Sequence, residues 1–299
     1  MERPLDPSTG YDVTEVNAGS IVNKGFEIGI TAIPIKLKDF SWDLRANFTK
    51  NISLVESLPD DSKEILIDGF SDLGNFAVEG QPFGVIKGNF TERDAQGRLL
   101  VTENGDWKAS RETGIIGDPN PDFLLTGISN IRYKFLSLGV HLDYVQGGQI
   151  FSYTAATFIG RGVSKDLENF SPETLVILPG VKEDGTPNDI PMPASGLFFG
   201  NNILSTGAYD RGIYEATRLH LREVSLNIDI PAKWFGQSFF KGGTLSFIGN
   251  NLWFRAFNTP KYSYVDASRT AFGTGNGFGF DFLSGPSARR YGANIRLNF

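Results

Sequence analysis

The most constraining feature of this sequence is strict two-residue alternation, held over runs much longer than ordinary sheet strands. Between positions 40 and 49, Phe40, Trp42, Leu44, Ala46 and Phe48 alternate with Ser41, Asp43, Arg45, Asn47 and Thr49. Successive side chains of a strand point to opposite faces, so this spacing predicts a strand with one apolar and one polar face. The run 22–36 repeats it with Phe26, Ile28, Ile30 and Ala32. Further runs cover 123–135, 136–146, 219–231 and 243–254. In 136–146, Leu138, Val140, Leu142 and Tyr144 alternate with Ser137, Gly139, His141 and Asp143. In 219–231, Val224, Leu226, Ile228 and Ile230 alternate with Glu223, Ser225, Asn227 and Asp229, and the parity switches over Leu219 to Arg222. That switch predicts a β-bulge or the end of the alternating zone. The last run sets Tyr291, Ala293, Ile295, Leu297 and Phe299 against Gly292, Asn294, Arg296 and Asn298.

These runs make about seven long strands, and their connections fall into two kinds. Short turns join 22–36 to 40–49, 123–135 to 136–146, and 219–231 to 243–254. Long irregular segments, 53–121, 147–218 and 255–288, lie between the pairs and hold many Gly and Pro residues. A hairpin is expected inside the first of them, with 85–94 and 98–103 flanking the turn at 95–97. No useful helical period stands out, and Ser171 to Leu178 is too short to assign. Short turns on one side and long segments on the other are the pattern of a transmembrane β-barrel. Strands of 10–15 residues also exceed the ~5–6 of globular sheets and suit a tilted membrane strand of ~9–11.

Composition agrees. Gly (35) and Phe (25) are abundant while charged residues make up 21%. Half-apolar strands joined by wet loops give that mixture. The absence of Cys excludes a disulfide scaffold. The net charge of -6 argues against a nucleic-acid binder. No apolar run approaches the roughly 20 residues of a membrane helix. The first residues, MERPLDPSTGYDV, show neither the cationic start nor the apolar run of a signal peptide.

Aromatic placement gives a further expectation. If the directions of the strands alternate, Phe40, Trp42, Tyr133, Phe135, Trp234, Phe235, Phe239, Phe240 and Phe299 gather at the end with the short turns. An interfacial girdle requires that clustering. A soluble sandwich would bury the same apolar parity against a second sheet, and alternation alone does not separate the two.

Catalytic motifs are missing. There is no Walker A sequence, GxGxxG, HExxH or GxSxG, and with no Cys and only His141 and His220, metal clusters and nucleophile triads have few possible members. No metal and no cofactor are expected, and the chain does not read as an enzyme. The candidate substrate-contacting residues are Asp43, Arg45, His141, Asp143, Glu223 and Arg296 on the polar parity, with Tyr209, Tyr214, Tyr262 and Tyr264 in the long segments. Aromatics beside Asn, Asp and Arg suit sugar or peptide capture. Packing of the segments against one another is the equal alternative, also for Phe198, Phe199, Phe272, Phe278, Phe280 and Phe282.

The blocks NAGSIVNKGFEIGI, FSWDLRANFTKN, EGQPFGVIKG, GDPNPDFLLTGISNIRYKFLSLGVHLD, PGVKEDGTPN, LREVSLNIDIPAKW, FIGNNLWF and PSARRYGANIRLNF occur in order from about Asn17 to Phe299. As an ordered set they resemble the C-terminal part of SusC/RagA-type TonB-linked outer-membrane transporters. The resemblance implies an all-β fold, an antiparallel transmembrane barrel of 22 strands. Residues 1–299 would supply roughly its last third, about seven strands with long extracellular loops. The plug, TonB box and N-terminal domains would lie outside these residues.

It also implies a Gram-negative, Bacteroidetes-like outer-membrane location and import of an oligosaccharide or peptide. The implied partners are a SusD-like surface lipoprotein, the TonB–ExbB–ExbD complex, the barrel-assembly machinery and membrane lipid. Tyr291, Ile295, Leu297 and Phe299 match the C-terminal signal read by that machinery. The rival functions are a soluble all-β carbohydrate-binding module and a glycoside hydrolase with two convergent carboxylates.

Overall fold

The computed structural model describes residues 2–11, 13–15, 19–59, 62–198, 208–268, 271, 277–285 and 287–299. Seven long strands form one antiparallel sheet: β1 (Ser20–Lys36), β2 (Phe40–Ser57), β3 (Phe123–Tyr133), β4 (Leu136–Gln146), β5 (Arg218–Pro231), β6 (Gly242–Ala256) and β7 (Arg290–Asn298). Each strand pairs with its neighbours in chain order, with β1 and β7 at the two edges. This simple meander is the topology of a barrel wall. A sandwich would have to divide the strands between two facing sheets.

Register carries the apolar parity across the whole sheet. One row runs Ile30, Ala46, Gly127, Leu142, Leu221 and Trp253. The next runs Ala32, Leu44, Ser129, Val140, Val224, Gly249 and Tyr291. A third runs Ile35, Trp42, Ile131, Leu138, Leu226, Phe247 and Ala293. Many of these side chains face outward unpacked, including Ile30 and Phe247. No second sheet covers them among the described residues.

Two bulges keep the rows continuous. Register shifts between Ala32 and Ile35, where two residues of β1 stand against one in β2. Pro34 lies there, at a place where a strand tolerates a missing N–H. The slip moves the apolar parity from even to odd, so Ile35 still meets Trp42. The second bulge lies between Leu221 and Glu223 in β5, where the switched parity predicts one. Against β4 Arg222 is the extra residue, and against β6 it stands opposite Asn251 and Leu252.

Aromatic rings band the sheet at two levels. At the short-turn end, Phe135 packs edge-on to Trp234 at 5.5 Å and Phe239 stacks on Phe299 at 5.3 Å. Higher on the same face, Phe26, Phe48, Phe123 and Tyr144 form a chain of ring contacts 5.3–6.0 Å apart. From Phe40 to Phe48 is roughly 27 Å along the strand, or about 20 Å of height at the usual tilt.

The three long segments fold together into a cap above the sheet. The first forms a four-stranded meander of Glu64–Gly69, Leu73–Val78, Val85–Thr91 and Ala109–Gly117. The second contributes Gln149–Ser152 and the helix α1 (Tyr153–Gly160), which Ser152 caps by accepting from the Ala155 N–H at 3.1 Å. The third adds Phe280–Asp281, parallel to Gln149–Ser152. All three share one core of Leu73, Ile86, Phe151 and Phe280. The buried Asn75 amide joins the first to the third by donating to the carbonyls of Gly84 and Phe278 and accepting from the Phe278 N–H.

The expected hairpin over 85–103 is different in form. A turn at Asp94–Gly97 closes with the Arg93–Leu99 bridge, but strand 85–91 pairs with 73–78 and 109–117. The meander and α1 have no counterpart in the expectations from alternation. β2 also continues to Ser57, where its upper part pairs only with β1 and meets the cap through Ser53 and the Phe83 N–H.

Candidate functional site

The polar parity of the sheet forms a second continuous surface. One row runs Asn47, Thr126, Asp143, His220 and Phe254. Its neighbour runs Arg45, Ile128, His141, Glu223, Asn250 and Arg290. At their crossing, Asp143 accepts from Arg222 Nε at 2.8 Å and Thr126 Oγ1 at 3.0 Å. His141 Nε2 is 3.1 Å from the same carboxylate. The bulge is what makes this cluster possible, because it turns Arg222 from the apolar parity onto the polar face.

A cavity of about 400 Å³ adjoins the cluster, lined by His141, Arg222, Glu223, Asn250, Asn251 and Arg290. Cations, an acid and two amides converge there without an apolar wall. Such a lining holds a hydrogen-bonding polar ligand better than an apolar one. Among the described residues no group of three or more His, Asp or Glu is placed to hold a metal ion.

Of the residues expected on this surface, His141, Asp143 and Glu223 come together. Asp43, Arg45 and Arg296 lie on the same face but outside the cluster. Asp43 is opposite Asn130, Arg45 opposite Thr31 and Ile128, and Arg296 opposite Thr244. Arg222, Thr126 and Arg290 are additions. The parity break at 219–222 was the sequence signal for Arg222; nothing local marks the other two.

The tyrosines divide between core and rim. Tyr209 packs edge-on to Phe151 at 6.0 Å, and its hydroxyl donates to Asp72 at 3.3 Å. Burial and the Asp72 charge raise its pKa. Burial, with the charge of Asp166, pushes the Tyr214 hydroxyl up to about 12, so it stays neutral. Tyr262 lies between Lys165 and Lys261, each within 5.4 Å of the ring. Tyr264 is 74% exposed. Of the other loop aromatics, Phe280 and Phe282 pack in the cap core, and Phe198 packs on Phe170. Phe199, Phe272, Gly273 and Gly275 lie outside the described residues. Tyr291, Ile295, Leu297 and Phe299 are exposed along or just beyond edge strand β7.

By fold this chain is an antiparallel seven-stranded meander of the kind that forms a wall of transmembrane β-barrels. The structure of the RagAB peptide transporter aligns with a TM-score of 0.64 at 18% identity, over 99% of this chain and 31% of that one. In sequence the chain is similar to SusC/RagA-type TonB-dependent receptors. TonB-dependent receptor P3 of Formosa agariphila is 25% identical over 99% of this chain and 30% of its own length. TonB-dependent receptor SusC of Bacteroides thetaiotaomicron is 31% identical over 44% of this chain and 14% of its own. No protein-family model matches. The chain thus spans about a third of the relatives that it matches along nearly all its length.

Proposed function

We propose that these residues form an arc of an outer-membrane barrel that imports an oligosaccharide or peptide. The apolar face meets lipid, the polar face lines the passage, and the cap lies at the cell surface. Residues 1–299 correspond, on this reading, to the C-terminal part of a 22-stranded wall. The mechanism is binding and gated passage without chemistry at the substrate. A SusD-like lipoprotein would close over the cap, and TonB–ExbB–ExbD would supply energy through parts outside these residues. The assembly machinery would read Tyr291, Ile295, Leu297 and Phe299.

The observation that carries this reading is the largely apolar, exposed face across seven meandering strands, with the sheet's own ion pairs, among the described residues, on the other side. A water-soluble protein rarely leaves so large an apolar patch open. The His141–Asp143–Arg222–Glu223 surface is the proposed substrate contact, because it holds donors and acceptors on the face away from lipid. The test is fractionation of the protein expressed at 1–299 and at full length. Both should need detergent to stay in solution. A stable, monodisperse 299-residue monomer in plain buffer would overturn the barrel reading in favour of a soluble binding module.

A further inference from the structure

A second cavity, of about 650 Å³, lies at the upper end of β6 and meets the cavity beside Asp143 at Asn251. Trp253, Arg255, Phe257, Lys261, Tyr262 and Arg289 line it, and no carboxylate does. Among the described residues none of these three cations has an ion-pair partner. Two of them are held against rings, Arg255 over Phe257 at 5.8 Å and Lys261 over Tyr262 at 5.0 Å.

Its position gives the cavity meaning. Trp253 lies opposite Leu221 and Arg255 opposite Leu219, so both belong to the apolar face. Arg289 comes two residues before Tyr291, which shares that face. The level is that of the upper aromatic band, where a membrane's headgroups meet its hydrocarbon. Long cationic side chains reach toward headgroups at that depth, and basic pockets there bind phosphorylated lipids. Arg forks match phosphate oxygens, and the rings offer apolar area beside them.

We propose that this groove seats the phosphorylated headgroup of an outer-leaflet amphiphile, reached from the lipid side of the wall. The inference rests on the barrel reading above. Charge complementarity selects an anion, and the adjoining apolar face selects an anion that carries acyl chains over free phosphate.

The test uses the full-length protein, first floated with liposomes and then titrated in micelles with bisphosphorylated lipid A, dephosphorylated lipid A and inorganic phosphate. Bisphosphorylated lipid A should bind the wild type roughly 100-fold more tightly than it binds R255Q/K261Q/R289Q, at about fivefold per cation. Dephosphorylated lipid A should bind wild type and variant alike and weakly. Equal wild-type binding of the two lipids overturns the groove and needs no variant. Full displacement by inorganic phosphate also overturns it, showing a free-anion site. Protein that fails to float overturns the barrel reading itself, whereas protein that floats without discriminating lipids overturns the groove alone.

Discussion

Asp266 shows how a residue of a long segment is fixed by partners far away in the chain. It accepts from the Ser268 N–H at 3.0 Å, the Ser268 hydroxyl at 2.7 Å and the Ser287 hydroxyl. His220 Nε2 approaches to 3.4 Å, and the His220 ring stacks on Phe254. Burial alone would raise the Asp266 carboxyl, but His220, Ser268 and Ser287 outweigh it and hold the pKa well below 3.8. A depressed folded pKa contributes stability that is present above the unfolded value and is lost as pH falls through the folded one. The 261–268 segment should therefore stay docked on β5 through the range where a free aspartate protonates. In detergent, pepsin should nick it only well below pH 3.8, and Asp266→Asn should be nicked at higher pH with no such threshold. Wild-type nicking with a midpoint at or above 3.8 would show that Asp266 does not hold the segment. No local pattern announces this cluster, because its members are spread over β5 and the third long segment. The same holds for Asn75, whose partner Phe278 is 203 positions away.

Elements differ in how far their own residues specify them. The seven strands were legible because period two over ten residues leaves one regular structure able to bury or expose one side chain type. Even the β5 bulge was visible as a parity switch. The cap was not legible, because its strands 64–69 and 73–78 are short and partner-dependent. Helix α1 spans only Tyr153–Gly160 and contains Thr154, Thr157 and Ile159, which are poor helix formers. Tertiary contacts with the 3-10 turn at Tyr209–Gly212 and with Phe280–Asp281 decide it. At the element scale, the bulge is separable from the Arg222 charge. Arg222→Met keeps the extra residue and should cost roughly 1 kcal/mol, the value of one partly exposed charge-assisted bond. Deleting residue 222 instead places Leu221 next to Glu223, so Leu219 and Leu221 keep the apolar face and pair with β4 without a bulge. The Arg222–Asp143 bond is lost just the same. Its extra cost over Arg222→Met is the strain on the β6 side, where Asn251 and Leu252 lose the residue opposite them. Urea unfolding in micelles measures both, and equal losses would mean that the bulge contributes nothing beyond its arginine.

For the whole molecule, the competing architectures differ in what covers the apolar parity. A barrel wall gives it to lipid, and a soluble module must give it to protein. Residues 1–299 contain no Cys, so once any Cys elsewhere in the full-length protein is replaced, a thiol introduced in this arc is unique and the difference is directly measurable. Along β4, single cysteines at Leu138, Val140 and Leu142 sample one face, and those at Ser137, Gly139 and His141 sample the other. In proteoliposomes of the full-length protein, fluorophores on the first set should be quenched by brominated acyl chains and shielded from aqueous iodide. The second set should show the reverse, with quenching alternating residue by residue. Val140 lies between two other apolar rows, so it should show the strongest acyl-chain quenching of its set. A module with a protein-covered core would leave the first set unquenched by both agents. Alternation confined to the lower half of β4 would instead place the hydrocarbon boundary nearer the short turns than the two aromatic bands do, and would take Tyr144 and Trp253 out of the membrane.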